Sequence, residues 1–112
     1  MGYYNSSVFI IVILHGVTAM PSLKRIVLDV LKPHNPNALE FASAIAGQHR
    51  DCRIRLTVTE IDEKTETTVI TIEGDDVPYD AVVETITRLG GSVHSIDEVE
   101  VQASGNAPAV GT

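Results

Sequence analysis

At 112 residues the chain has room for one modest domain. A hydrophobic fraction of 44% and a mean hydropathy of +0.13 exclude a disordered polymer. With 15 acidic residues against 8 basic ones the net charge is −7, which speaks against a surface for nucleic-acid phosphates.

Residues 1–19 are unlike the rest. The run VFIIVIL at 8–14 falls far short of the roughly 20 residues of a membrane-spanning helix. It also lacks the basic flank of a secretory signal. It fits an extra strand, a loose hydrophobic arm, or sequence upstream of a true start at Met20. The third reading is taken here, with 1–22 expected to be a poorly packed arm.

Positions 24–34, KRIVLDVLKPH, form the first strand, around which the chain is organised. Ile26, Leu28 and Val30 alternate with Arg25, Val27, Asp29 and Leu31, a period of two. Apolar residues on both sides place this strand inside the sheet, and Pro33 stops it. Asn35 is the expected cap of a first helix, with Pro36 in its first turn. Ala38, Phe41, Ala42 and Ile45 make the helix's apolar stripe, Leu39 and Ala46 widen it, and Gly47 ends it.

Residues 52–61 read as a second strand, with Ile54, Leu56 and Val58 inward and Arg53, Arg55, Thr57 and Thr59 outward. After a polar turn, 66–74 return as the third, burying Ile70 and Ile72 and leaving Val69, Thr71 and Glu73 outside. Asp76 or Val77 caps a second helix whose stripe is Tyr79, Val82, Val83, Ile86 and Leu89, closed by Gly90-Gly91. Residues 92–101 give a fourth strand. Its uneven pattern, Val93, Ile96, Val99 and Val101, points to a bulged edge. A disordered tail is expected over 102–112.

The order β-α-β-β-α-β predicts an α+β, ferredoxin-like domain over 23–101. Its antiparallel sheet has the order 4-1-3-2, with two helices on one face. The phrases RIVLDVLKPH at 25–34, IEGDD at 72–76, Gly90-Gly91 and HSIDEV at 94–99 resemble the archaeal proteins of domain of unknown function family 211. The resemblance spans about 23–101 and implies this fold, an archaeal source and homo-oligomers. It brings no assigned activity, and the residues before Met20 lie outside its pattern.

Three constellations carry candidate chemistry. On the uncovered face, Arg25, Glu73 and Arg55 are expected to form a cross-strand charge ladder. Beside it, Val27, Leu31, Ile61 and Val69 form an apolar band, the expected subunit interface. At one end of the sheet, His34, His94 and Glu66 could together hold a transition metal, although their spacing matches no compact ligand motif. At the other end, Glu73, Asp75 and Asp76 lie near Asp97, Glu98 and Glu100, a setting for weak divalent-cation binding. Asp75 and Asp76 also suit the start of the second helix.

Other classes are excluded by what the chain lacks. The first and third strands carry no aromatics for stacking bases, and there is no CxxC loop and no glycine-rich phosphate loop. His94 and Ser95 alternate faces on a strand, which rules out a serine triad with Asp97. Cys52, the single cysteine, excludes an internal disulfide and makes the reducing cytoplasm the expected location. The favoured reading is a non-enzymatic, self-associating domain with a small-molecule-sensing or regulatory role, by fold-level analogy alone. The alternative is a protein binding a divalent cation through His34 and His94 or through the acidic end. No cofactor, nucleic acid or membrane is expected as a partner.

Overall fold

A computed structural model describes residues 21–103. Of the arm expected over 1–22 and the tail expected over 102–112, residues 1–20 and 104–112 lie outside the described residues, whereas Ser22 and Gln102 are strand residues that pair with each other. The elements are β1 (Ser22–Pro33), α1 (Ala38–Gln48), β2 (Arg53–Ile61), β3 (Thr65–Glu73), α2 (Tyr79–Arg88) and β4 (Ser92–Gln102). The sheet order is β2-β3-β1-β4, every pairing is antiparallel, and the architecture is the ferredoxin-like α+β sandwich.

β1 is interior because both of its faces are needed. Ile26, Leu28 and Val30 pack with Ile70 and Ile72 of β3 against Phe41 and Ile45 of α1 and Val82 and Ile86 of α2. All five strand residues share one parity, so both helices cover the same face. Side chains buried to this degree contribute about 1.5–3 kcal/mol each. Among the described residues, every buried polar side-chain atom has a partner. Thr68 Oγ1 donates to the Val30 carbonyl at 2.7 Å, and His49, the C-cap of α1, meets Thr85 of α2 at 3.0 Å.

Local chemistry sets the helix ends. Asn37, not Asn35, caps α1. Its side chain accepts from the Glu40 N–H at 2.8 Å while Glu40 Oε1 accepts from the Asn37 N–H at 3.0 Å. Asn35 has Ala38 three residues on, which offers no carboxylate to complete that exchange. Gly47 stays within the helix, and the chain reverses at Asp51, whose φ is +72°. Leu39 turns away from the core and is 76% exposed. α2 is capped by Leu89 and followed by Gly90, with φ +91°, and Gly91 packs so closely that a Cβ would lie 2.9 Å from Ile86 Cγ2.

Bulges re-aim two strands. In β2 the register shifts between Val58 and Glu60, leaving Thr59 as the extra residue. In β4 the extra residues are His94 and Asp97. They convert the uneven spacing of Val93, Ile96 and Val99 into a single row opposite Val30, Leu28 and Ile26, so β4 keeps its apolar side chains on the helix-bearing side.

Candidate functional site

Three features stand out on this frame: a polar clasp at one end of the sheet, a charge ladder on its open face, and an exposed apolar row on β4. The clasp is centred on Lys32, which continues the Ile26, Leu28, Val30 side of β1 and is fully buried. Its Nζ lies 3.0 Å from Glu66 Oε1 and donates to the Pro33 carbonyl at 2.7 Å. The ammonium also stands 5.8 Å from the centroid of the Phe41 ring. The other oxygen of Glu66 accepts from His34 Nδ1 at 3.0 Å, and His34 Nε2 lies 3.0 Å from the Glu63 carbonyl.

Both ring nitrogens of His34 thus face acceptor oxygens, an arrangement that suits the doubly protonated imidazolium. The hydrogen bond to Glu66, then that to the Glu63 carbonyl, raises the His34 pKa above its ordinary value. His34, then Lys32, holds the Glu66 carboxyl below the usual carboxylate range. The clasp joins the end of β1 to the start of β3 and the β2–β3 turn.

His94 takes no part in this group. It is the exposed bulge residue between Val93 and Ser95, which pair with Val30 and Asp29. That level is four residues back from His34, about 13 Å along the strand, whereas zinc ligands lie about 2 Å from their ion. Among the described residues no group of three or more His, Cys, Asp or Glu side chains could hold a metal ion. The Cys52 thiol is pushed up by burial and then by Asp51, the opposite of what a reactive cysteine needs.

The open face carries the ladder with one change of member. Glu73 pairs with Arg25 on one side and with Arg53 on the other, at 2.6 Å and 2.8 Å. Arg55 stands opposite Thr71, because the hairpin closes with Ile61 opposite Glu66 and the Thr59 bulge shifts the strand one residue further. Arg25 also binds Glu98 of β4 at 2.9 Å. Arg53, then Arg25, lowers the Glu73 pKa, while Glu98, then Glu73, raises that of Arg25.

The Thr59 bulge also moves Ile61. Sitting opposite Glu66, it belongs to the helix-bearing side and is 69% exposed there, so it does not join Val27, Leu31 and Val69. Of those three, Val27 is buried, and Leu31 and Val69 are half-buried. The exposed apolar surface lies mainly on β4 instead, where Ile96, Val99 and Val101 keep 49%, 55% and 55% of their surface in solvent. The sequence pattern located these residues, and their exposure follows from β4 being an edge strand.

Residues 24–105 match the family model DUF211, described as "Uncharacterized ArCR". The chain belongs to that family. An uncharacterised protein of Methanocaldococcus jannaschii, MJ0319, is 44% identical over 80 residues, which cover 71% of this chain and 82% of the relative. Among the described residues of this DUF211 chain no helix is long and apolar enough to cross a membrane.

Proposed function

We propose that this DUF211 chain is a non-catalytic domain that acts by associating with copies of itself in the cytoplasm. The observation that carries this reading is the exposure of Ile96, Val99 and Val101 along an 11-residue edge strand. Such a row, next to an unpaired strand edge, loses free energy when another surface covers it. A non-catalytic role is supported by the clasp, where both oxygens of Glu66 and both nitrogens of His34 are engaged within the chain. Sedimentation velocity over a concentration series tests the reading. A mass that rises with concentration, or exceeds one chain throughout, supports it, and a monomer at every concentration ends it.

A further inference from the structure

The two free edges of the sheet are not alike, and their difference specifies how copies meet. The outer strand β2 presents Arg53 and Arg55, while β4 presents Asp97, Glu98 and Glu100. Cross-strand register places these charges on shared levels. One row of the open face reads Arg53, Glu73, Arg25, Glu100, alternating in sign across all four strands. The next row reads Arg55, Thr71, Val27, Glu98.

From these rows we infer that a second copy of the chain docks its β2 against β4 of the first, continuing the sheet head to tail. This rests on the self-association proposed above and names its surfaces. Because β2 and β4 run in opposite directions, a copy in the same orientation extends the sheet with a further antiparallel pairing. Held level, Glu100 meets Arg53 of the second copy and Glu98 meets its Arg55, so the sign alternation runs on unbroken.

The helix-bearing side matches in the same alignment. Its rows read Ile54, Ile72, Ile26, Val99 and Leu56, Ile70, Leu28, Ile96. Exposed Val99 therefore meets Ile54 of the next copy, and exposed Ile96 meets its Leu56. Charged and apolar rows thus fall into phase together under one alignment, with no side chain forced to the other face. A groove of about 550 Å³ lies over the β2 side of the open face, lined by Arg25, Thr71 and Glu73 of the inner strands and by Arg53, Ile54, Arg55 and Leu56, the four β2 residues that this alignment pairs with β4. Arg55 and Glu100 form no ion pair among the described residues, so each remains available to a partner.

The two-fold alternatives are opposed by the same charges. Pairing β4 with β4 around its acidic half brings Asp97, Glu98 and Glu100 against their own copies. Pairing β2 with β2 does the same for Arg53 and Arg55. Edge carboxylates and bulges are a usual defence against unwanted strand pairing; here they deter a second β4 and attract a β2. A head-to-tail contact either closes into a ring or runs on as a filament.

The test uses Arg55→Glu and Glu100→Lys, each in the full chain, with far-ultraviolet circular dichroism and thermal unfolding to confirm the fold. Each variant alone spoils one edge and leaves the other intact. Sedimentation and native mass spectrometry are expected to show each associating at least about tenfold more weakly than the parent. An equimolar mixture is expected to form one-to-one pairs and stop there, because β4 of the Arg55→Glu chain and β2 of the Glu100→Lys chain restore one parental contact while the other two edges repel. If either variant alone assembles like the parent, or the mixture stays dissociated, the edge assignment is overturned while self-association stands. A parent chain that is monomeric throughout overturns both.

Discussion

Replacing Ile96 and Val99 together by threonine locates the cohesion between copies. The two side chains keep 49% and 55% of their surface exposed. Full burial of such a side chain contributes about 1.5–3 kcal/mol, so roughly half, about 0.8–1.5 kcal/mol apiece, is unrealised in the free chain. For the pair, about 1.5–3 kcal/mol is available to association. At about 1.4 kcal/mol per factor of ten, its loss weakens each contact by roughly 10- to 150-fold. Threonine keeps the branched shape that strands favour, but its hydroxyl forfeits the apolar gain. The half already buried is lost too, so the free chain also becomes less stable by a similar ~1.5–3 kcal/mol. Association is therefore measured by sedimentation equilibrium well below the unfolding midpoint, for parent and variant side by side. A double variant that still folds and associates as tightly as the parent would refute the reasoning.

Other outcomes follow from the clasp and the core. Lys32→Met keeps the buried stem but strips the ammonium from Glu66 and the Pro33 carbonyl. It is expected to cost about 2 kcal/mol, roughly 8–16 °C in Tm for a domain this size, read by thermal denaturation at neutral pH. A Tm unchanged or raised would mean that the desolvated charge outweighs its bonds. For His34 the folded pKa is raised above 6.5, so its contribution is complete below that value and fades as pH climbs through the folded pKa. The stability gap between parent and His34→Ala, measured by urea unfolding, is thus expected to be larger at about pH 5.5 than at about pH 9. A gap that is constant or grows with pH contradicts the ion pair with Glu66. Phe41→Ala, which empties a fully buried position between α1 and the sheet, should cost about 3–5 kcal/mol in the same assay.

Much of the fold was legible because β1 announces itself. The alternation through Ile26, Leu28 and Val30 located the central strand, and the antiparallel level Arg25–Glu73 followed from it. The broken apolar spacing of β4 disclosed its bulged edge, although not that two separate insertions, His94 and Asp97, produce it. Legibility failed where one residue changes a register. Thr59 has nothing in its side chain to mark it as a bulge, yet it carries Ile61 to the other side; that bulge and the hairpin's closure, one residue each, together put Arg53 where Arg55 was expected. Lys32 was missed for a different reason: a charged residue beside proline reads as the end of a strand. Carrying the parity of Ile26, Leu28 and Val30 one step further points it inward, and Glu66 then becomes its natural counter-charge. The Asn37–Glu40 box was readable from spacing alone, but the proline after Asn35 drew the helix start two residues early. The pairing of the two sheet edges needed the full set of cross-strand levels, which no single segment encodes.

Amide hydrogen exchange, followed by mass spectrometry over a range of protein concentrations, interrogates the contact between copies most directly. Head-to-tail extension requires backbone amides of β2 and of β4 to gain protection together as concentration rises, while those of β1 and β3, already paired on both sides, stay constant. Exchange at either edge strand that is indifferent to concentration in an associating sample, or protection confined to β4, contradicts it.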